Sequence, residues 1–249
     1  MSVLKYNFAQ RMRWVRLLLH SRSSKLNEPV ALDILSKMSR PSPVIFDIGA
    51  NIGLFIKAFN KSAFQPKAIY AFEPSSYVHS ILKVTVARFK NVRCFKLAFD
   101  KQDGETILNM PLKKSGSIRV GLSHIGNVSE GEYLKETVRT MKLDHFIKEQ
   151  AIEAVDLIKI DVEGAEYNIL QGADALLRDM RPFWFVEISE AANRFANTRQ
   201  DTFDIFMKAD YAAFYFDQDQ KWQRLDEINQ AEDFLFVPKE ELADFTQKL

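Results

Sequence analysis

The chain has 249 residues, 47% of them hydrophobic and 20 of them phenylalanine, which is ample for the core of one large domain. A formal charge of +1 leaves no broad basic face for nucleic acid, and a single cysteine, Cys94 in an apolar stretch, excludes an internal disulfide and reads as an inert buried thiol. No apolar run reaches the ~20 residues of a membrane-spanning helix and the N-terminus shows no signal-peptide pattern, so a cytoplasmic protein without a transmembrane segment is expected.

Residues 1–40 differ in character from the rest of the chain. Phe8, Met12, Val15 and Leu19 recur at helical spacing among Arg11, Arg13, Arg16 and Arg22. Such a helix meets a membrane or an acidic partner, or it packs across its own domain with its arginines in water. The second is the commoner case, so an N-terminal helical segment packed on the core is expected. Asn27 is placed to cap a second helix with Pro29 in its first turn and Leu32, Ile34, Leu35 and Met38 as its apolar positions. Pro41 and Pro43 end it, and the main domain is expected over 41–249.

That domain opens with Val44-Ile-Phe-Asp-Ile-Gly-Ala-Asn-Ile-Gly53, an apolar run ending in an acid, then two glycines, then an amphipathic segment. The order describes a buried parallel strand, a tight turn and a helix N-terminus, where Gly49 and Gly53 let backbone approach a ligand and unpaired N–H groups face it. Glu73 ends the next apolar run, 26 positions after Asp47, near the ~20-residue spacing of a carboxylate that grips ribose hydroxyls. A dinucleotide turn needs a glycine where Asn51 stands, to clear space for a pyrophosphate. The pattern therefore favours S-adenosylmethionine over a nicotinamide cofactor. An NAD-dependent oxidoreductase shares the sheet and the ribose acid and is the alternative, alongside a non-catalytic nucleoside-binding protein.

Strands and helices then alternate. A helix carrying Leu54, Phe55, Ala58 and Phe59 follows Gly53, and Ser75 or Ser76 caps the next. Residues 92–99 read as a strand, the Asp103-Gly104 turn follows, and residues 106–112 read as its hairpin partner. Further strands are expected at 156–161, 183–188, 212–216 and 234–237, with helices between. This is an α/β pattern with a mostly parallel sheet covered by helices on both faces. Asp47, Glu73, Asp100, Asp161 and Glu187 all end strands on the carboxyl edge, where such sheets bind ligands.

From about residue 44 to 237 the chain resembles the FkbM family of S-adenosylmethionine-dependent methyltransferases. The resemblance rests on the Val44 block continued to Leu54-Phe55, on Ala71-Phe-Glu-Pro74, on Leu143-Asp-His-Phe146, and on Asp156-Leu-Ile-Lys-Ile-Asp-Val-Glu-Gly-Ala-Glu166 followed by Leu170-Gln-Gly-Ala173. It implies a class I methyltransferase (Rossmann-like) three-layer sandwich whose mostly parallel seven-stranded sheet has a reversed last strand. It also implies S-adenosyl-L-methionine as cofactor and usually O-methylation of a small-molecule or glycan acceptor.

By that resemblance Asp47, Gly49, Asn51 and Gly53 hold the methionine end of the cofactor, Glu73 holds the ribose, and Asp161 is also among the cofactor-binding residues. Asp100, or backbone near Ala98 and Phe99, flanks the adenine. Asp161 and Glu163 serve the acceptor hydroxyl as a base or through a divalent ion, whereas Glu163 and Glu166 also suit a helix start, where acids are favoured. No His, Cys and Asp spacing makes a metal site by itself, and the metal is left open.

His124 lies in a glycine-rich stretch expected to form a lid over the acceptor between 112 and 137, and is a candidate base. His145 is expected to brace a helix, and His20 and His79 to lie on helices away from the site. Tyr133 is the only aromatic ring between Leu112 and Thr137, which suits a polar acceptor such as a sugar or a hydroxylated secondary metabolite. Near-neutral charge is expected to disfavour highly phosphorylated substrates.

Overall fold

The computed structural model describes residues 6–23, 29–61, 64–126 and 131–249, so Asn27 lies outside the described residues. The chain enters through α1 (Phe8–Ser23) and α2 (Pro29–Lys37). β1 (Val44–Ile48), α3 (Leu54–Lys61), β2 (Ala68–Phe72), α4 (Ser76–Val86) and β3 (Val92–Phe95) then alternate. A small second sheet is made of β4 (Ala98–Phe99), β5 (Gly104–Pro111), β6 (His124–Ile125) and β7 (Tyr133–Met141). Alternation resumes with α5 (Leu143–Glu149), β8 (Leu157–Ile160), α6 (Glu166–Leu170), β9 (Phe183–Glu187) and α7 (Arg199–Lys208). A meander of β10 (Tyr211–Phe216), β11 (Trp222–Leu225) and β12 (Asp233–Pro238) leads to α8 (Leu242–Gln247).

The main sheet runs β11-β10-β12-β9-β8-β1-β2-β3. Its five strands from β9 to β3 are parallel, and β12, the last strand of the chain, is antiparallel to both neighbours. β1 pairs with β2 on one side and β8 on the other, so the strand order reverses at the end of β1. These are the seven strands of a class I methyltransferase. The eighth, β11, is an addition that folds back on β10 from Ala213↔Leu225 to Phe216↔Trp222. Only Trp222 of β11 is buried, as befits an edge strand with a polar outer face.

The two faces carry separate apolar clusters. On one, Phe72 meets Phe146 edge to face at 4.9 Å, with Phe46 and Phe99 beside them. On the other, Ile45, Ile56, Phe59 and Phe185 pack with α2 and α3. Burying each such side chain is worth roughly 1.5–3 kcal/mol, so the sheet positions are fixed by packing rather than by the polar residues at their ends.

Two expectations are corrected. Residues 92–99 are not one strand: the chain leaves the main sheet after Phe95 and joins the second at Ala98. Residues 106–112 do not pair with it either, since β5 pairs with β7 from Gly104↔Thr140 to Pro111↔Tyr133. Asp103 turns the chain, but its Oδ1 accepts the Lys142 N–H at 2.7 Å and ties the turn to the end of β7.

The N-terminal helix presents the unexpected face to the domain. Leu17 is buried, Trp14 Nε1 donates to Ser80 Oγ at 2.8 Å, and Ser21 Oγ lies 2.8 Å from Thr85 Oγ1, so α1 lies along α4. Phe8, Met12, Val15 and Leu19 are instead 41–78% exposed. Their regular spacing marks the wrong side because the packed side mixes Gln10 and Ser21 with Trp14 and Leu17.

Candidate functional site

The turn after β1 is built for close approach. Gly49 and Ala50 both donate to the Phe72 carbonyl, at 3.0 and 2.9 Å, which draws the ends of β1 and β2 together. At Gly49, φ is 79° and a Cβ would lie 1.8 Å from the Asp161 carbonyl oxygen, so only glycine lets the end of β8 close on this turn. Asn51 holds a left-handed φ of 48° and points its N–H at Glu73 Oε2, 3.2 Å away. Gly53 serves another purpose: a Cβ there would meet Leu82 and Val86 at 2.9 and 3.0 Å, so it lets α3 sit against α4.

Glu73 is 7% exposed, and its Oε1 accepts the Ser75 N–H at 2.9 Å. Burial pushes its carboxyl up to about 7, against the pull of the two amides and with help from the charges of Asp161 and Asp47. A carboxylate has about four acceptor positions, so two amides leave room for two hydroxyl donors. Glu73 lines a cavity beyond the carboxyl ends of β1, β2 and β8, together with Gly49, Asn51, Ala98, Asp161 and Glu163. Phe72, Leu97, Phe99 and Leu108 give it apolar walls, and Ser123 and His124 close one side.

Three expected residues stand outside this cavity. Asp47 is wholly buried and lies 3.4 Å from Lys159 Nζ. Gly53 packs α3 on α4. Asp100 follows a strand of the second sheet, and its Oδ1 accepts the Lys101 N–H at 2.8 Å, which leaves the wall at this depth to Leu97, Ala98 and Phe99.

The acids at the sheet edge form one network. Lys159 on β8 is buried, with its Nζ 3.2 Å from Asp161 Oδ2 and 4.7 Å above the Phe55 ring. Burial disfavours its charge, but Asp161 and Asp47 overrule that and hold it protonated above the usual lysine range. Burial also acts to raise Asp161, yet the Lys159 charge and hydrogen bonds from Glu187 and Lys159 keep it below the ordinary carboxylate range. Glu187 carries the compensating shift. Burial, the hydrogen bond to Asp161 and the Asp161 charge push it up to about 9, so Glu187 is the protonated member of the pair at neutral pH.

Glu163 stands at a left-handed φ of 60°, its carbonyl accepting from Arg194 Nη1 at 2.5 Å. A non-glycine residue held there costs of order 1–3 kcal/mol, strain of the kind that collects at functional sites. Burial, then the Asp161 charge, raises its carboxyl. Glu166 has a different job: it is 2% exposed and its Oε1 accepts the Gly164 N–H at 3.0 Å, bracing the loop that carries Glu163.

His124 is not a solvated loop side chain. It is 4% exposed on β6, its Nδ1 is 3.1 Å from the Leu122 carbonyl, and its ring stands edge-on to Tyr133 at 5.8 Å. His145 pairs with Asp103 at the start of α5. His20, expected away from the site, lines a second cavity next to Asp161. Burial pushes the Cys94 thiol up to about 11, in keeping with an inert group. No cluster of three or more His, Cys, Asp or Glu side chains suited to a metal occurs among the described residues. No helix among them is long and apolar enough to cross a membrane.

Sequence reasoning passes over Lys159 and Ser123. The first has a signal, since a lysine in an otherwise apolar strand must find counter-charges when the strand is buried. The second has none.

Comparison with known proteins shows the family. The methyltransferase FkbM domain matches residues 47–222. The 2-O-methyltransferase NoeI of Sinorhizobium fredii is 29% identical over 170 residues, 63% of this chain and 68% of that protein. The 31-O-demethyl-FK506 methyltransferase FkbM of Streptomyces tacrolimicus is 27% identical over 160 residues, 54% of this chain and 61% of that protein. The crystal structure of methyltransferase FkbM from Methylobacillus flagellatus shares the fold with a TM-score of 0.53 at 14% identity, over 80% of this chain and 44% of that one. The chain belongs to the FkbM family and is an S-adenosylmethionine-dependent methyltransferase.

Proposed function

We propose that the protein O-methylates a hydroxyl of a sugar, glycan or secondary metabolite. The cofactor would lie in the cavity between Glu73 and Asp161, and the carrying observation is that these two acids meet in one cavity at the point where the strand order reverses. The residues fit the group: Glu73 retains acceptor positions for two ribose hydroxyls, Leu97, Ala98 and Phe99 offer an apolar wall for a base, and Gly49 lets Asp161 approach the turn. When bound, the cofactor supplies a methyl group on a positively charged sulfur.

The protein's part is alignment and proton acceptance. Asp161, held ionised by Lys159 and Glu187, sets a fixed negative charge beside the reacting centre but is too weak a base to take a hydroxyl proton readily. Glu163, raised by burial and by Asp161, is the better acceptor and would take the hydroxyl proton as the C–O bond forms and the methyl–sulfur bond breaks. Ser123 and His124 present polar groups on the facing wall. About 70 Å³ is open between the walls, well under the ~300 Å³ of ordinary small-ligand sites, so residues 121–125 move outward as the ligand enters.

The oxygen acceptor is supported by the relatives named as 2-O- and 31-O-demethyl-substrate methyltransferases. The test is a thermal shift with S-adenosylhomocysteine and with NAD, followed by mass spectrometry of products from hydroxylated sugars and metabolites. Stabilisation by S-adenosylhomocysteine and a 14-Da gain on oxygen are expected (one CH₂, about 14 Da). Stabilisation by NAD alone, or transfer to nitrogen, carbon or protein, would refute it.

A further inference from the structure

A second cavity, of about 580 Å³, opens on the other side of the turn after β1. Among the described residues it shares only Gly49, Asn51 and Asp161 with the first, so the two meet where methyl transfer would occur. Its volume is that of a site for a ligand in its own right. Its outer wall is α1, which supplies Arg13, Arg16 and His20 and contains no acidic residue.

The charge there is unbalanced. Lys159 is offset by Asp47 and Asp161, and Glu187 is protonated. Among the described residues no ion pair involves Arg13 or Arg16, and Arg13 Nε is buried without a hydrogen-bond partner. Both arginines line the cavity, and their charge on this wall has no carboxylate partner among the described residues. Guanidinium groups match planar or tetrahedral oxyanions, which they bind with paired, charge-assisted hydrogen bonds. The whole wall also lies outside residues 47–222, the part matched by the family, so it can distinguish this chain's acceptor from those of its relatives.

We infer that this second cavity is the acceptor site and that the acceptor carries an anionic group, a carboxylate or a sulfate or phosphate ester, held by Arg13 and Arg16 while its hydroxyl passes Asp161, where the two cavities meet, toward Glu163. The inference rests on the methyltransferase reading of the first cavity. It also revises the expectation from net charge: a total of +1 says nothing about two arginines facing one cleft.

The test is calorimetric titration of the full chain, saturated with S-adenosylhomocysteine, with inorganic sulfate, inorganic phosphate and acetate at constant ionic strength. Wild type is expected to bind at least one of these anions saturably. Preference for acetate indicates a carboxylate acceptor, and preference for sulfate or phosphate an ester. Arg13→Gln/Arg16→Gln should weaken that binding at least tenfold and leave the affinity for S-adenosylhomocysteine within twofold, which also shows that the variant is folded. Arg16→Lys, tested alone, should retain part of the binding. Absence of saturable anion binding, or equal binding by the double variant, would overturn the inference. So would a tenfold loss of S-adenosylhomocysteine affinity in the double variant, because the arginines would then hold the cofactor's own carboxylate. A wild-type protein that fails to bind S-adenosylhomocysteine at all would instead overturn the reading of the first cavity.

Discussion

Lys159 Nζ lies 3.2 Å from Asp161 Oδ2, and the same nitrogen lies 3.4 Å from Asp47 Oδ1, so one buried cation joins the acid inside the core to the acid at the mouth of the site. Asp47 and Lys159 are 1% and 5% exposed at their side chains. Removing one partner strands the other in the core, which costs about 3–5 kcal/mol. Lys159→Met is therefore expected to lower stability to urea by that amount, and Asp47→Asn added to it should recover part of the loss. Equal stability of Lys159→Met and wild type would show the pair to be solvated.

The Glu187–Asp161 pair makes stability depend on alkaline pH. The Glu187 carboxyl has an ordinary value of 4.5 and is held at about 9 in the folded protein. Unfolding above pH 4.5 thus releases a proton, so this group's contribution is fully present below that pH and is lost as pH rises through 9. Glu187→Gln cannot ionise, and the fall in its melting temperature between about pH 6 and 9.5 should be smaller than that of wild type. Identical profiles would mean that Glu187 is not the group holding the proton.

Glu163 and Asp161 are expected to fail differently. If Glu163 is the proton acceptor, Glu163→Gln should lower turnover about 10²–10⁴-fold with cofactor affinity intact. Asp161→Asn removes a charge that also braces Lys159, so it should lower both turnover and melting temperature. Single-turnover kinetics beside thermal melts would separate the two, and full activity in Glu163→Gln would assign the base elsewhere.

The sidedness of α1 gives a plain stability test. Phe8→Ser and Leu19→Ser touch exposed positions and should stay within about 0.5 kcal/mol of wild type. Leu17→Ala deletes a buried side chain and should cost about 2–5 kcal/mol in urea unfolding. The reverse order would mean that the helix packs through its regular apolar stripe after all.

How much the residues reveal in advance depends on how local each signal is. The apolar run before Asp47, the Gly49 turn and the acid at Glu73 are contiguous features whose chemistry does not depend on distant contacts, and they lead directly to the strands and to the lining of the first cavity. The pairing of β5 with β7 joins Gly104 to Thr140 across a long loop, and nothing near Asp103 announces it. Asp100 stands outside the first cavity for the same reason, since its direction depends on which sheet β4 joins. The packed face of α1 is hidden because Gln10 and Ser21 face inward, against the rule that apolar spacing marks burial. The arginine wall of the second cavity is invisible to net charge because the balancing acids lie elsewhere.

The most direct measurement is calorimetric titration of Glu73→Ala with S-adenosylhomocysteine. Each charge-assisted hydrogen bond from a ribose hydroxyl is worth about 1.5–3 kcal/mol, and 1.4 kcal/mol is about tenfold in affinity. The folded variant should bind at least tenfold more weakly than wild type. Unchanged affinity in a variant that keeps its native circular dichroism would contradict the placement of the cofactor between Glu73 and Asp161.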